Sequence, residues 1–250
     1  MVEVSLGLPG LAEFIPESAR ALRGHFGRSR GGTLSQEAVR EYFAHRSSTG
    51  DDHFPDVIAS ASRSYRQLLH ASQSLITPSL TELNEPRVLD YGCGQAGLLH
   101  LLREWSNGFQ YTGFDIDTPT IRRLNATLSG ACFVEGLPST QFDIVFLINV
   151  LAYTSDAEIQ SLLADVAIHL KPRGLLVVAE PVPAWYWETN FANLSLRLRS
   201  HNEVSESFAQ HGLVPDGANT ASISSVRGRK ILPIAWLGTW KHHQSIGVDE

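Results

Sequence analysis

Short apolar runs and stretches with helical spacing alternate along residues 86–180 of the chain. This alternation is typical of β-α-β units, in which each strand is followed by a helix that packs back onto a parallel sheet. The apolar runs predict strands over residues 87–90, 109–114, 132–135, 143–148 and 175–180. The pattern therefore predicts an α/β fold in which most strands are parallel.

The sequence indicates where three helices between these strands begin. Leu98 opens a leucine-rich run directly after a glycine-rich loop, so a helix should begin where the loop ends. Thr118 and Pro119 predict a second helix, with threonine as the N-cap and proline in the first helical position. Ser155 and Glu158 have the spacing of a capping box, and apolar residues on one helical face follow them. These helices supply the crossover connections that parallel strands require.

The segments on either side of this region are less regular. Residues 1–85 contain three stretches with helical character, over 12–26, 35–45 and 55–75, and we interpret them as an N-terminal helical cap or lid. This cap should form one compact unit with a core of residues 86–250. A basic, glycine-rich stretch at 23–32 is interpreted as a linker, with contact to an anionic substrate as the alternative. After residue 180 the sequence predicts an aromatic loop, a helix ending near Gly212, and strands over 222–226 and 231–237, the second weakened by Pro233.

Composition and charge narrow the class of protein. Of the 250 residues, 43% are hydrophobic and 18% charged, which is typical of a folded globular chain. Apolar runs stay below the roughly 18–20 residues that a membrane helix needs, and the first residues lack the positive start of a secretory signal. A net charge of −6 argues against binding to a nucleic-acid backbone. Cys93 and Cys132 are too few for a disulfide framework, so we expect a cytoplasmic protein without nucleic-acid or membrane partners.

The most informative stretch is the glycine-rich loop after the first strand, VLDYGCGQAGLLHLL. Gly92, Gly94 and Gly97 match the G-x-G-x-x-G pattern of dinucleotide sites, in which a diphosphate lies against the backbone. Asp90, however, stands two residues before the first glycine. Two negative charges in contact cost about 1–4 kcal/mol at effective dielectric constants of 20–80, whereas a ligand with an ammonium group would be stabilised. The loop therefore favours an amino-acid ligand over a diphosphate.

An aspartate followed by glycines at this spacing resembles the first motif of the Rossmann-like (class I) S-adenosylmethionine-dependent methyltransferases. The third glycine of the family usually falls at the position of Ala96, with Gly97 just beyond. The resemblance implies a doubly wound, mostly parallel seven-stranded sheet with helices on both faces and the last strand antiparallel. It also implies S-adenosylmethionine as the cofactor and S-adenosylhomocysteine as the product.

The resemblance continues along the chain and implies a set of cofactor contacts. Asp115, at the end of the second strand, matches the acid that bonds the ribose hydroxyls in the family. Glu135 matches the acid that meets the adenine amino group. The implied cofactor-binding set is Asp90, Gly92, Gly94, Asp115, Ile116, Glu135, Gly136, Leu137, Asn149 and Leu151.

The implied reaction is in-line displacement at the sulfonium methyl carbon, which depends mostly on alignment in a desolvated cleft. A base is needed only when the acceptor must lose a proton. His53, Tyr153, Glu180 and His201 lie on segments that could border the acceptor, and the sequence does not choose among them. The histidines show no metal-binding pattern, so we expect no metal.

Several alternatives remain open at this stage. The acceptor is expected to be a small molecule, a metabolite or natural product. A non-catalytic methyltransferase-like partner protein and a nicotinamide-dependent oxidoreductase are the competing functions, and Asp90 is the feature that argues against the second. Structurally, Asp90 could cap the loop, Asp115 could serve the start of the next helix, and Glu135 could be an exposed loop acid.

Overall fold

The structure is a computed structural model, and it describes residues 69–70, 73–181, 188–191, 194–197, 199–227 and 230–242. The predicted helices at 12–26 and 35–45, the basic stretch at 23–32, most of the helix at 55–75 and the aromatic loop at 182–187 lie outside the described residues. His53 does as well. The N-terminal cap therefore stays a prediction.

Between residues 87 and 181 the described helices and strands follow the alternation that the sequence predicts. A helix over 73–81 lies mostly beyond the predicted helix at 55–75, and two short strands over 188–191 and 194–197 are not predicted. The helices are α1 (Gln73–Thr81), α2 (Gly97–Trp105), α3 (Thr118–Thr127), α4 (Ile159–His169) and α5 (His201–Ala209). A single 3-10 turn covers Leu151–Tyr153. The strands are β1 (Arg87–Tyr91), β2 (Gln110–Phe114), β3 (Cys132–Val134), β4 (Phe142–Ile148), β5 (Leu170–Pro181), β6 (Glu188–Phe191), β7 (Leu194–Arg197), β8 (Leu213–Arg227) and β9 (Lys230–His242).

Seven of these strands form one sheet in the order β3-β2-β1-β4-β5-β9-β8. Strands β1 to β5 are parallel to one another, whereas β9 is antiparallel to both β5 and β8. Strands β6 and β7 form a separate antiparallel pair. This topology confirms the predicted seven-stranded, mostly parallel sheet with an antiparallel last strand.

Alternate residues of the central strands pack against different helices. One face joins Val88, Ile144, Phe146 and Val177 to residues of α1, α2 and α3. The other face joins Leu89, Val145, Leu147 and Val178 to residues of α4 and α5. Because both faces are covered, the central strands read as continuous apolar runs, and each fully buried aliphatic side chain contributes about 1.5–3 kcal/mol. The predicted helices on both faces are confirmed.

Two helix starts differ from the sequence prediction. Thr118 is the first residue of α3 rather than its N-cap, which is Asp117. Helix α4 begins at Ile159, after a tight turn in which the carbonyl of Ser155 accepts the N–H groups of Glu158 and Ile159 at 3.2 and 3.0 Å. Glu158 still reaches back to the Ser155 hydroxyl at 2.6 Å. The pairing that the sequence indicates therefore exists, but it stabilises the turn that precedes the helix.

The two C-terminal strands are longer than predicted, and both are irregular. The β8–β9 register shifts between Pro215 and Thr220, and again between Ile223 and Ser224. Pro233 pairs with Ser224 at the second shift. A bulge leaves room for a residue that cannot donate to the ladder, which is why the proline does not end the strand here. None of the helices described is long and apolar enough to cross a membrane.

Candidate cofactor site at the carboxyl ends of the parallel strands

The order in which the chain adds strands to the sheet reverses between β1 and β4, and the candidate site lies at this point. From β1 the chain runs outward through β2 to β3, whereas β4 and β5 lie on the other side. Tyr91, the last residue of β1, is level with Phe114 of β2 and Leu147 of β4. In open α/β sheets, ligands bind in the crevice beyond the strand ends at such a switch point. The residues that follow β1, β2 and β4 line this crevice.

The glycine-rich loop is closed at its first glycine and open at its second. Gly92 has a φ of 81°, and a Cβ there would lie 2.6 Å from Cγ2 of Val150. Gly94 also has a positive φ, 48°, but a Cβ there would meet no atom within 4 Å. The N–H groups of Gly92 and Cys93 both donate to the carbonyl of Phe114, at 2.7 and 2.9 Å. The loop is thus held against β2, with the backbone at Gly94 accessible to a ligand.

Ala96 stands where the third glycine of the family usually falls, and its backbone is left-handed. Its φ of 59° lies in the left-handed region, where an alanine is strained by roughly 1–2 kcal/mol. The methyl group is buried in the core beneath α2, which offsets part of this cost. The departure from the family pattern therefore leaves the loop conformation intact.

Asp90 lies beneath the loop and is almost wholly buried, with 3% of its surface exposed. The hydroxyl of Tyr111 on β2 donates to its Oδ2 at 2.5 Å. Burial raises the pKa of Asp90 to about 7, the Tyr111 hydrogen bond opposes this rise, and the charge of Asp115 adds to it. From the sequence alone, Asp90 is expected to carry a fixed negative charge. Burial favours the neutral form of this carboxyl, so its repulsion of a diphosphate is weaker than that expectation.

Tyr111 is a site residue that the sequence analysis missed. Tyr111 and Gly113 are the two buried positions of β2, and the Tyr111 side chain packs in the core. A buried tyrosine hydroxyl usually finds a partner, and Asp90 is the acid at the neighbouring strand end. The period of β2 could therefore have indicated this contact.

Asp115 connects the glycine-rich loop to the start of α3. Its Oδ2 accepts the N–H of Gly94 at 2.8 Å, and its Oδ1 accepts the N–H of Asp117 at 2.9 Å. Burial raises the pKa of Asp115, and these two N–H groups oppose the rise. Each carboxylate oxygen can accept a second hydrogen bond. The half-buried side chain thus suits a ligand with two adjacent hydroxyls, and the ribose contact that the family resemblance implies stays a prediction.

Glu135 and its neighbours lie after β3 at the edge of the sheet. The Glu135 side chain is exposed, and its Oε1 accepts a hydrogen bond from Nε of Arg122 on α3 at 3.2 Å. Gly136 is exposed and Leu137 half-buried. This ion pair corresponds to the alternative of an exposed loop acid. The contact of Glu135 with adenine stays a prediction.

Asn149 and Leu151 lie in the segment that follows β4. Asn149 has a φ of 56°, and its N–H donates to the carbonyl of Ala179 at 2.8 Å. Leu151 is 1% exposed and packs in the core on the α4 face. Val150, between them, lies closest to the glycine-rich loop at Gly92. The contacts of Asn149 and Leu151 with the cofactor stay predictions.

The structure describes three of the four predicted candidate bases. Glu180, at the end of β5, is 2% exposed, and its carboxylate accepts three backbone N–H groups. His201 lies against the ring of Trp240, with centroids 5.1 Å apart, and burial lowers its pKa. Tyr153 is half-buried in the 3-10 turn and stays a candidate. Within the described ranges, no group of three or more potential metal ligands is found.

Comparison with known proteins identifies the class. A family model described as a methyltransferase domain matches residues 60–214, which is more than half of the chain. The chain therefore belongs to this methyltransferase family, and the predicted family, fold and enzyme class are confirmed.

Individual relatives are more distant. A fatty-acid O-methyltransferase of Mycolicibacterium smegmatis is 27% identical over 149 residues, which are 55% of this chain and 52% of that protein. The chain thus spans about half the length of this relative. The 1,6-didemethyltoxoflavin-N1-methyltransferase of Burkholderia thailandensis, solved with 1,6-didemethyltoxoflavin and S-adenosylhomocysteine, has a TM-score of 0.59 at 17% identity, covering 86% of this chain and 92% of that one. The DhpI–S-adenosylhomocysteine complex has a TM-score of 0.56 at 18% identity, covering 86% of this chain and 100% of that one.

Proposed function

We propose that this protein transfers a methyl group from S-adenosylmethionine to a small-molecule acceptor in the cytoplasm. The observation that carries the proposal is the pairing of an accessible glycine backbone with a two-oxygen carboxylate. Gly94 offers open backbone, and its N–H is bonded to Asp115, whose oxygens can each accept one more hydrogen bond. A nucleoside joined to an amino acid needs both features side by side.

The parts of the cofactor are assigned to different strand ends. The amino-acid part would lie over the loop at Gly92 and Gly94, the ribose hydroxyls would donate to Asp115, and the adenine would lie beside Glu135 and Gly136. Bound there, S-adenosylmethionine supplies an electrophilic methyl carbon with a good leaving group. The chain's own contribution is to orient the cofactor and to exclude water from the crevice.

We favour an acceptor that is largely apolar and carries a carboxylate or another ionised group. The curated relative is named a fatty-acid O-methyltransferase, and a carboxylate attacks without first losing a proton to a base. Glu180 and His201, two candidate bases, are engaged with the backbone and with Trp240 respectively. Such an acceptor is compatible with both observations.

Calorimetric titration of the protein with S-adenosylhomocysteine and, separately, with NAD⁺ tests the cofactor assignment. We expect binding of the first and none of the second. Preferential binding of NAD⁺ would favour the oxidoreductase alternative. Methyl transfer is then measured with labelled S-adenosylmethionine against fatty acids and phenols, and cofactor binding without turnover on extracts would favour the non-catalytic alternative.

Asp115→Ala gives this assignment a residue-level test. Loss of the ribose contacts should weaken S-adenosylhomocysteine binding by about 1.5–3 kcal/mol per charge-assisted bond, or at least tenfold in affinity. The same titration measures it. Unchanged affinity in the variant would remove Asp115 from the site.

A further inference from the structure

The carboxylate of Glu180 holds the start of the segment that leaves β4. Its Oε1 accepts the N–H groups of Val150 and Leu151, both at 2.8 Å, and its Oε2 accepts the N–H of Ala152 at 3.2 Å. These are the first N–H groups of a 3-10 turn, which have no partner within the turn itself. Glu180 thus fixes three consecutive residues from the neighbouring strand.

The guanidinium of Arg199 holds the other end of the same turn. Its Nη1 donates to the carbonyl of Leu151 at 2.6 Å, and its Nη2 donates to the carbonyl of Thr154 at 2.9 Å. The side chain is 5% exposed. A planar fork can reach two carbonyls at once, which a lysine ammonium cannot do in the same geometry. An acidic and a basic side chain therefore hold opposite ends of one turn through hydrogen bonds.

Arg199 is itself fixed from two sides. Its Nη2 also donates to Oδ1 of Asp156 at 2.7 Å, and its backbone carbonyl accepts the indole N–H of Trp236 on β9 at 3.1 Å. Trp236 is level with Glu180 across the β5–β9 pairing. Glu180 and Arg199 thus belong to one cluster of connected residues at the carboxyl end of the sheet.

The turn that they hold forms one wall of the cofactor crevice. Asn149 precedes it with a left-handed φ of 56°. Val150 approaches the loop so closely that a Cβ on Gly92 would lie 2.6 Å from its Cγ2. A shift of this segment would therefore change the space above the glycine-rich loop. Asp115 lies on the other side of β1 and makes its contacts with Gly94 and Asp117.

We propose that Glu180 and Arg199 are positioning residues that fix the segment 149–154 against the glycine-rich loop, so that the pocket accepts the amino-acid end of S-adenosylmethionine. This inference rests on the proposed function and deepens it. Neither residue acts as a base in this role. The nucleoside end of the ligand is held by other residues and should not depend on them.

The test compares two ligands, S-adenosylhomocysteine and adenosine, by calorimetric titration of the full chain. Glu180→Ala should raise the dissociation constant of S-adenosylhomocysteine about tenfold or more, because the segment beside the amino-acid end loses the three hydrogen bonds that fix it. The dissociation constant of adenosine should change by less than about twofold, because its contacts lie beyond β1. Arg199→Lys should show the same selective loss.

Glu180→Gln and Asp143→Asn complete the design. The glutamine keeps one acceptor oxygen, so we expect a smaller loss than in Glu180→Ala, and it carries the test with Arg199→Lys if the alanine variant does not fold. Asp143 accepts the N–H of Arg87 and pairs with Lys171 at the opposite, amino-terminal end of the strands. Asp143→Asn should therefore leave the affinities for both ligands within about twofold.

The outcomes separate this inference from the function on which it rests. Wild-type binding of S-adenosylhomocysteine with unchanged affinity in the Glu180 and Arg199 variants would overturn the positioning role alone. An equal loss of both ligands would also overturn it, since it would indicate a general destabilisation. A wild-type protein that binds neither ligand would overturn the proposed function and this inference together.

Discussion

Gly92 is the residue at which the close approach of two segments has the clearest consequence. Gly92→Ala places a Cβ at a φ of 81° and 2.6 Å from Val150. We expect the free energy of unfolding to fall by about 2–4 kcal/mol, the sum of left-handed strain and overpacking. Urea denaturation measures it. Gly108→Ala is the matched control, because a Cβ there meets no atom within 4 Å and its φ is not left-handed.

Gly94 should respond differently to the same change. Gly94→Ala adds a methyl group in open space, so stability should fall only by the left-handed cost of roughly 1–2 kcal/mol. The affinity for S-adenosylhomocysteine should fall at least tenfold if the ligand occupies that space. Calorimetry and urea denaturation on the same sample separate the two effects. A variant that binds as well as the wild type would show that the ligand does not lie over Gly94.

Asp90 predicts how stability depends on pH. Burial raises its pKa from the ordinary value of 3.8, which applies to the unfolded chain, to about 7 in the folded protein. The folded state therefore keeps a proton that the unfolded state has lost, so this contribution to stability decreases as the pH rises from about 4 to 7. Asp90→Asn should flatten the decline by up to about 1.4 kcal/mol per pH unit. Urea denaturation between pH 4 and 8 measures the slope.

Two other carboxyl groups, those of Glu180 and Asp156, also affect how stability depends on pH. Burial also raises the pKa of Glu180 to about 7, so part of the decline should remain in Asp90→Asn. Burial would raise the pKa of Asp156 too, but hydrogen bonds from Arg199 lower it overall, so its contribution has the opposite sign. That contribution changes only below about pH 5, because both the folded and the unfolded state have lost this proton above it. Asp156→Asn should therefore leave the slope between pH 5 and 7 unchanged. An identical slope in wild type and Asp90→Asn would contradict the account of Asp90.

At the scale of elements, the start of α5 carries the most complete cap among the described helices. The Ser200 hydroxyl accepts the N–H of Glu203 at 3.2 Å, and the Glu203 carboxylate accepts the N–H of Ser200 at 2.8 Å. Ser200→Ala should lower the free energy of unfolding by about 1 kcal/mol. Ser207→Ala, in the body of the same helix, should change it by less than about 0.5 kcal/mol. Equal effects in urea denaturation would contradict the assigned cap.

The strands show which elements can be predicted from the sequence. The five parallel strands were predicted within a few residues, except that β5 begins five residues earlier, because burial on both faces produces continuous apolar runs. The cap of α5 was missed, although Ser200 and Glu203 have the spacing of a capping box. The register shifts in β8 and β9 were also missed, since they depend on the partner strand.

At the scale of the whole molecule, the site divides into a predictable part and an unpredictable one. Asp115 and the glycine-rich loop could be placed because they follow adjacent parallel strands, whose ends must meet. The contacts of Arg199 could not be predicted, because it donates to carbonyls up to 48 residues away. Hydrogen bonds to backbone groups leave no pattern in a sequence. Glu180 was found, but as a candidate base, since sequence alone does not show that its oxygens meet three N–H groups.

The most direct test of the central claim is a crystal structure of the protein with S-adenosylhomocysteine. We expect both ribose hydroxyls to donate to the carboxylate of Asp115 and the amino-acid end to lie over Gly92 and Gly94, beside Val150. The shape of the cavity next to the sulfur atom would then define the acceptor. A ligand bound elsewhere, or a ribose that makes no contact with Asp115, would contradict the account.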